Sequence, residues 1–362
     1  MNYKSRQSQL RSTLQRKHVD ALLVTHLPNV RYLCGFTGSA GVLIVAESTA
    51  VFFTDGRYKE QAAEEIEGAR VVIGKKSALA QSGEWLNAKA KQLGVKILGL
   101  EAEHATVAEK SQLRRALGST PRLRETFGLV EQARMIKDRE EIACLRAAVQ
   151  LGASLFDVVL QAIRPGRKEV EVAAELEYAA RRAGAEGMSF ETIIASGPRS
   201  ALPHGRASAA QIPANGFVVC DFGIILAGYC SDMTRTVHVG APSSDAHHMY
   251  DSVREAQKAA VERVEAGVGA GEVDWAARQL LTRNGLGKYF SHSTGHGVGL
   301  QIHEPPRVAR GQSEPLETGM VITIEPGVYL PQIGGVRIED MVLVTDHGCE
   351  VLTPTSKELV VI

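Results

Sequence analysis

The sequence has little of what marks a nucleic-acid-binding, secreted or membrane protein. Its 41 basic residues balance 41 acidic ones, and no long basic run or acidic tail occurs, so no nucleic-acid partner is expected. No uninterrupted apolar run approaches the ~18 residues typical of a membrane span. The N-terminus lacks the apolar core of a secretory signal. We therefore predict a cytoplasmic protein with neither a nucleic-acid nor a membrane partner.

Several common functional motifs are also missing. The five cysteines are scattered and form no C-x-x-C pair, which argues against a disulfide framework and against a cysteine-based zinc site. No P-loop, G-x-S-x-G or G-x-G-x-x-G element is present. The segment H-E-P-P-R at 303–307 is not the zinc-protease H-E-x-x-H, because the second histidine is missing and two prolines exclude a helix.

The length of 362 residues predicts two domains. Short buried strands alternate with helical stretches at first, which is typical of a small α/β domain. Longer helices and then Gly- and Pro-rich strands follow, and we place the boundary between residues 128 and 129, within a transition at 125–138. The main predicted elements are strands at 21–24, 41–45, 50–53 and 95–100, a hairpin at 216–239, and helices at 57–66, 82–93, 138–162, 169–184, 245–265 and 273–284.

Two aspartates lie in apolar, strand-like segments, where an unpaired charge would be costly. Asp221 ends the run Phe-Val-Val-Cys-Asp, and Asp232 lies in Gly-Tyr-Cys-Ser-Asp-Met-Thr. A hairpin that turns between Leu226 and Ala227 would bring the two carboxylates opposite each other on one face. They would repel unless a cation lay between them. The alternative is a buried salt bridge between Asp221 and Arg235.

A second acidic pair repeats this pattern. Glu325 ends the apolar strand Met-Val-Ile-Thr-Ile-Glu, and Glu339 lies in Gly-Val-Arg-Ile-Glu-Asp. We expect their carboxylates to face each other across a strand, loop, strand unit. One such pair could be structural, but two pairs together with His296, in Ser-Thr-Gly-His-Gly-Val-Gly, indicate a site.

Four carboxylates and one imidazole suit divalent manganese, cobalt, iron or zinc, with carboxylates bridging two ions. Two such ions activate a water molecule at neutral pH and polarise a substrate carbonyl. We therefore predict two divalent metal ions, with manganese first and cobalt, zinc or iron as alternatives. The predicted ligands are Asp221, Asp232, His296, Glu325 and Glu339.

The order Asp, Asp, His, Glu, Glu, with the aspartates eleven positions apart, resembles the creatinase/methionine aminopeptidase superfamily of metallopeptidases. The resemblance covers nearly the whole chain. It implies an α+β fold with a pita-bread catalytic domain at 129–362, preceded by a smaller creatinase-type α/β domain at 1–128. Within the superfamily, the best resemblance is to Xaa-Pro aminopeptidases (aminopeptidase P) and the related prolidases. The N-terminal stretch at 29–41, Asn-Val-Arg-Tyr-Leu-Cys-Gly-Phe-Thr-Gly-Ser-Ala-Gly, followed by Thr-Asp-Gly-Arg-Tyr-Lys-Glu-Gln-Ala at 54–62, is similar to aminopeptidase P sequences, whereas methionine aminopeptidases have no such domain.

The resemblance also implies roles for residues beyond the metal ligands. Three histidines spaced as in the family would line the proline-accepting pocket and bond the substrate or the tetrahedral intermediate. They are His204, His292 and His303. Glu325 would accept the proton of the attacking water, which makes it catalytic as well as a ligand. Tyr329 and Arg337 match residues implied to orient Asp221.

The implied activity is a metal-dependent exopeptidase that removes the N-terminal residue from peptides with proline in second position. On this main interpretation, an Xaa-Pro aminopeptidase, Ala-Pro-Ala and longer peptides are substrates. The first alternative is an Xaa-Pro dipeptidase (prolidase), restricted to dipeptides. A remote alternative is a non-catalytic binding protein on the same fold, which is disfavoured because no ligand is lost. The family habit further implies a homodimer.

Overall fold

The computed structural model describes residues 1–118 and 120–362. The chain divides into two compact units, Met1–Arg134 and Met135–Ile362. The division lies within the predicted transition at 125–138 and a few residues after the predicted boundary.

The first unit is built around one mixed β-sheet. Its strands are β1 (Ala21–Val24), β2 (Val42–Ala46), β3 (Ala50–Asp55), β4 (Arg70–Gly74), β5 (Ile97–Glu101) and β6 (Arg122–Thr126). Its helices are α1 (Tyr3–Arg16), α2 (Leu27–Cys34), α3 (Lys59–Glu65), α4 (Ala78–Lys89) and α5 (Val107–Leu117), with a 3-10 turn at Gly56–Tyr58. The strand order is β4-β3-β2-β1-β5-β6. Every residue of β1 and β2 is buried, which explains their unbroken apolar sequences.

The second unit contains several antiparallel sheets and the longer helices. The short helix α6 (Glu131–Met135) spans the division between the units. The helices that follow are α7 (Arg139–Ser154), α8 (Phe156–Ala162), α9 (Glu169–Arg182), α10 (Ser244–Glu262) and α11 (Ala270–Arg283), with 3-10 turns at Gly197–Ala201 and Gly287–Tyr289. The strands are β7 (Gly187–Met188), β8 (Ile193–Ser196), β9 (Gly216–Phe222), β10 (Ile224–Leu226), β11 (Tyr229–Cys230), β12 (Met233–Val239), β13 (Gly295–Gly297), β14 (Glu304–Val308), β15 (Val321–Ile324), β16 (Gly327–Leu330), β17 (Gly334–Arg337), β18 (Asp340–Thr345) and β19 (Gly348–Val351).

Two of these sheets position the candidate site. One has the order β12-β9-β8 and the other β14-β13-β15-β18-β19, while β16 and β17 form a separate hairpin. Helices α7 to α9 cover the first sheet with side chains such as Ala148 and Val159, which share a core with Val218. Helices α10 and α11 share a second core with the other sheet, which includes Val253 and Ile322.

The predicted helix at 138–162 is two helices, since α7 ends at Ser154 and α8 begins at Phe156. The start of α7 is well defined because Asp138 accepts hydrogen bonds from the backbone at 140 and 141 and Glu141 bonds back to Asp138. Among the described residues, one helical stretch, Arg139–Ala162, is long and apolar enough to cross a membrane. Its mean hydropathy reaches 1.6 over an 18-residue window. Its apolar face is already used in the protein core, where Leu145 and Val159 are fully buried.

The predicted hairpin at 216–239 forms, but its turn lies one residue later than expected. Ala227 and Gly228 occupy the turn with φ values of 50° and 78°, as a type I′ turn requires. This shift changes the pairing by two residues, so Thr234, not Asp232, lies opposite Asp221. The expected direct opposition of the two aspartates is therefore wrong. Asp232 instead lies in the gap between β11 and β12.

Candidate metal centre

A cavity of about 1010 Å³ opens within the second unit. Its wall includes all five predicted metal ligands, the three predicted substrate-site histidines and Arg337. Tyr329 lies directly behind this wall, with its hydroxyl 2.8 Å from His292 Nε2. The structure thus brings together the residues that the sequence singled out from widely separated segments.

The two glutamates are held by strand register and by threonine hydroxyls. Ile324 pairs with Asp340 and Gly327 with Arg337, and this register puts Glu325 opposite Glu339 where the two strand pairs meet. Thr234, which faces Asp221 across the sheet, donates a 2.6 Å hydrogen bond to Glu339 Oε2. Thr323 donates to Glu325 Oε1 at 3.2 Å. A threonine of a neighbouring strand therefore fixes one oxygen of Glu339, and a threonine of the preceding strand β15 fixes one oxygen of Glu325.

Three carboxylate oxygens in this cavity have no hydrogen-bond partner among the described residues. They are Asp221 Oδ1, Asp232 Oδ1 and Glu339 Oε1, and all three are buried. A buried carboxylate oxygen without a donor is costly, unless a cation satisfies it. Ligand atoms of Asp232, His296 and Glu339 also lie within 4.8 Å of one another. The donor set present in the chain therefore fits a divalent metal ion.

The acids in this cluster disfavour one another's charge. Burial, followed by the negative charges of Glu339, Asp221 and Glu325, raises the pKa of Asp232 well above its usual range. Burial and the neighbouring carboxylates also raise the pKa of Glu339. The pKa of Glu325 is raised to about 8, with burial as the largest cause. These directions describe the protein side chains alone, and positive charge between the acids would reverse them.

His296 is oriented as a neutral metal ligand. Its Nδ1–H donates to the carbonyl of Gly297 at 3.0 Å, which leaves the lone pair on Nε2. That Nε2 lies 3.4 Å from Glu325 Oε1 and 3.7 Å from Asp232 Oδ2. Burial is the main cause that lowers the pKa of His296 to about 4, so the ring is neutral at physiological pH. A neutral imidazole turned toward two carboxylates is the arrangement that a shared cation would need.

A hydrogen-bonded chain connects Asp221 to His292. Arg337 forms a short buried ion pair with Asp221 Oδ2 and donates to the Tyr329 hydroxyl at 2.7 Å. That hydroxyl in turn donates to His292 Nε2 at 2.8 Å, because His292 Nδ1–H is used by the carbonyl of Ser293. Burial is the main cause that lowers the pKa of His292 to about 4, consistent with the neutral ring this chain requires.

The alternative salt bridge between Asp221 and Arg235 does not form. Arg235 points into the opposite side of the sheet, where it pairs with Asp340 at 2.7 Å and donates to the carbonyl of Thr355. In a strand, successive side chains point to opposite faces, so Arg235 and Thr234 cannot both reach the cavity. Arg337 takes the place beside Asp221 that the alternative gave to Arg235.

His303 and His204 lie on the more open side of the cavity. The ring of His303 packs edge-on against His296, with 4.3 Å between ring centroids. Partial burial, and then the charge of His204, lowers the pKa of His303. Both rings are accessible to a bound substrate, whereas His292 is mostly enclosed.

Several residues that support the site were not predicted from the sequence. Thr234 and Thr323 orient the two glutamates, yet threonine is ordinary in strands. Asp274, which is fully buried on α11, accepts from Thr294 at 2.8 Å and pairs with Arg278, which donates to the carbonyl of His292. The contacts from Thr234 to Glu339 and from Thr294 to Asp274 connect residues distant in sequence, so no local pattern could reveal them.

Comparison with known proteins gives the family of the chain. Residues 143–346 match metallopeptidase family M24, and residues 6–136 match the creatinase/prolidase N-terminal domain. The chain belongs to metallopeptidase family M24. The predicted superfamily and the predicted α+β fold, a pita-bread catalytic domain preceded by a creatinase-type domain, are thereby confirmed, and so is the prediction that the protein is a peptidase.

Three relatives show which members of the family the chain is similar to. The structure of an Xaa-Pro dipeptidase from Bacillus anthracis has 42% sequence identity and a TM-score of 0.96, covering 100% of both chains. An Xaa-Pro dipeptidase from Pyrococcus horikoshii is 39% identical, covering 96% of both chains. The structure of an X-Pro aminopeptidase from Thermotoga maritima has 36% identity and a TM-score of 0.88, covering 96% of this chain and 99% of its own.

These relatives overturn one prediction. The sequence favoured an Xaa-Pro aminopeptidase as the main activity, but the relatives with higher identity over the full length are named Xaa-Pro dipeptidases. A second Pyrococcus enzyme, 37% identical over 357 residues, carries the same name. The main interpretation is therefore wrong and the dipeptidase alternative is better supported. The N-terminal stretch at 29–41 could not separate them, because both the dipeptidase and the aminopeptidase named above match this chain over almost its whole length, N-terminal domain included.

The raised pKa of Glu325 predicts how metal-free protein responds to pH. Its carboxyl group titrates near 4.5 when unfolded and near 8 when folded. Below pH 4.5 the carboxyl group is protonated in both the folded and the unfolded protein, so the contribution of the neutral group to the free energy of unfolding is fully present. Between these values unfolding releases the proton, so the free energy of unfolding should fall as pH rises. Thermal unfolding of chelated protein from pH 4.5 to 8 measures this.

The Glu325→Gln variant is the matched control, since its amide does not titrate and the fall with pH should be smaller. Added Mn²⁺ should reverse the trend in the unmodified protein, because metal binding requires deprotonated carboxylates. An identical pH profile for the chelated protein and its Glu325→Gln variant would contradict the raised pKa.

Proposed function

We propose that this protein is a dinuclear metal-dependent Xaa-Pro dipeptidase. The observation that carries the proposal is the set of buried, unpartnered carboxylate oxygens on Asp221, Asp232 and Glu339 around the neutral Nε2 of His296. The chain belongs to a metallopeptidase family, which supports a peptidase, and the names of the full-length relatives favour dipeptides with proline as the second residue.

Asp221, Asp232, His296, Glu325 and Glu339 would hold two divalent ions, with manganese favoured and cobalt, zinc or iron as alternatives. When bound, the ions supply Lewis acidity that lowers the pKa of water and polarises the substrate carbonyl. The donor set supports this assignment because it is rich in oxygen and contains no thiolate. Glu325 and Glu339, whose carboxylates face each other, are also suited to bridging two cations.

Glu325 is the residue best suited to hold the proton taken from the attacking water. It lines the cavity, and its Oε1 lies 3.4 Å from His296 Nε2, in the centre of the predicted ligand set. Thr323 fixes that oxygen from behind, so the carboxylate is held in one orientation.

The histidines divide into two kinds by their hydrogen bonds. His292 is committed at both nitrogens, to Ser293 and Tyr329, so it serves as a neutral, fixed wall of the pocket. His303 and His204 are more accessible and can turn an N–H toward the substrate. We assign His303 to the developing oxyanion and His204 to the leaving imino nitrogen.

The cavity also suits a proline ring. An Xaa-Pro bond is a tertiary amide without an N–H, so recognition must rest on shape and on the carbonyl. Apolar side chains of Phe190, Ile193 and Ile302 line the same cavity as the histidines. A pyrrolidine ring would gain apolar contact there, which a smaller residue would not match.

The proposal also includes a cellular location and an oligomeric state. We expect the enzyme to act in the cytoplasm, and the five free cysteines are compatible with a reducing compartment. We also keep the expectation of a homodimer, which rests on the family habit alone.

A peptide series tests the proposal directly. With Mn²⁺ added, the protein should hydrolyse Ala-Pro, and a difference of 2–3 kcal/mol in transition-state binding would make kcat/KM for Met-Ala about 30–150-fold lower. Ala-Pro-Ala should be cleaved much more slowly than Ala-Pro, because a dipeptidase is restricted to free dipeptides. Asp232→Asn should abolish hydrolysis of all three without unfolding the protein. Comparable rates on Ala-Pro and Met-Ala would refute the proline specificity.

His303→Ala tests the oxyanion assignment. Removal of one such donor typically costs about 10²–10³ in kcat, and KM should change less because the interaction strengthens in the transition state. Steady-state kinetics on Ala-Pro, with metal content measured in parallel, separate the two effects. A variant with unchanged kcat and a raised KM would make His303 a binding residue only.

A further inference from the structure

A buried lysine lies next to the strand that follows His303. Lys137 Nζ is 3.3 Å from Glu304 Oε2, and the two side chains are only 1% and 4% exposed. Glu304 directly follows His303 in the sequence and contributes to the cavity wall. The catalytic scheme above uses neither residue. Such pairs are weak evidence for stability, because apolar residues of similar volume often replace them without loss.

The backbone on both sides of Lys137 is fixed. Its N–H donates to the carbonyl of Gly319 at 3.0 Å, and the preceding residue, Ile136, forms an antiparallel bridge with Met320. The following residue, Asp138, caps helix α7. The lysine ammonium group therefore projects from a rigid position in the second unit.

Glu304 in turn holds the loop that presents His303. The loop, residues 298–303, connects β13 to β14 and carries little regular structure of its own. Glu304 Oε1 accepts a 3.0 Å hydrogen bond from the backbone N–H of Gln301. Its carboxylate also lies so close to Gly299 that an added Cβ would sit 2.6 Å from Oε2. Only a glycine at position 299 allows the carboxylate to come so close to the backbone. The loop and the Glu304 carboxylate are therefore tightly packed against each other.

We propose that the Lys137–Glu304 ion pair is a positioning device that sets the ring of His303 in the cavity. The lysine fixes the direction of the carboxylate, the carboxylate fixes the loop at Gln301 and Gly299, and the loop ends at His303. The ring then meets His296 at 4.3 Å. The inference rests on the proposed role of His303 in catalysis, although the positioning itself can be observed without activity.

The test uses a double variant, Lys137→Met with Glu304→Gln, because Lys137→Met alone would leave a buried carboxylate unpaired and could unfold the protein. The double variant keeps similar volumes and should fold and bind metal normally. Its kcat on Ala-Pro should fall at least ~10-fold while KM stays within about twofold, since small displacements of a catalytic group cost rate rather than binding. The control is Arg146→Met. It removes an exposed ion pair between Arg146 on α7 and Glu350 on β19 and should leave kcat unchanged.

A second measurement follows His303 itself. In protein with labelled histidine rings, the NMR signal that disappears in His303→Ala identifies this ring. We expect that signal to shift or broaden in the double variant and to stay unchanged in Arg146→Met. This measurement remains decisive if the unmodified protein fails to hydrolyse Ala-Pro, an outcome that would refute the proposed function only. An unchanged His303 signal, or a double variant with unchanged kcat, would overturn the positioning role.

Discussion

The repulsion among buried carboxylates is the constraint on which the second unit depends. Asp221, Asp232, Glu325 and Glu339 share one cavity, and each of the last three has a raised pKa with burial as its main cause. Arg337 offsets part of the charge through Asp221, but one arginine cannot satisfy four acids. The fold tolerates this cluster at a cost that a pair of divalent cations would remove.

The surrounding structure serves to hold these acids in place. Strand register puts Glu325 opposite Glu339, and Thr234 and Thr323 direct their oxygens. The imidazole of His296 is held in a similar way, because its Nδ1–H donates to the backbone carbonyl of Gly297. Strands and the short segments directly adjoining them supply the proposed ligands, while more exposed loops supply the side chains that would meet the substrate. This division suits a site where the metals must stay fixed and the peptide must enter.

Much of this could be predicted from sequence, because buried charge in apolar strands is a local signal. The five proposed ligands, which line one cavity, were found in this way, and apolar patterning predicted strand β1 and the helix starting near Asp138. The register of the hairpin could not be predicted in this way. The turn at Ala227 and Gly228 depends on whether Ala227 accepts a positive φ, and the predicted turn was one residue too early. The break after Ser154 and the roles of Lys137 and Asp274 depend on tertiary contacts. Peptide length preference was beyond the sequence, since the resemblance implied the same ligands for both activities.

The central claim is that the carboxylate cluster exists to bind two metal ions, and metal stoichiometry tests it most directly. Protein that has been chelated, reloaded with Mn²⁺ and dialysed should contain two ions per chain by elemental analysis. A crystal of the same preparation should show two anomalous peaks bounded by Asp221, Asp232, His296, Glu325 and Glu339. A chain that retains no metal after reloading, or that binds it only away from these residues, would contradict the account.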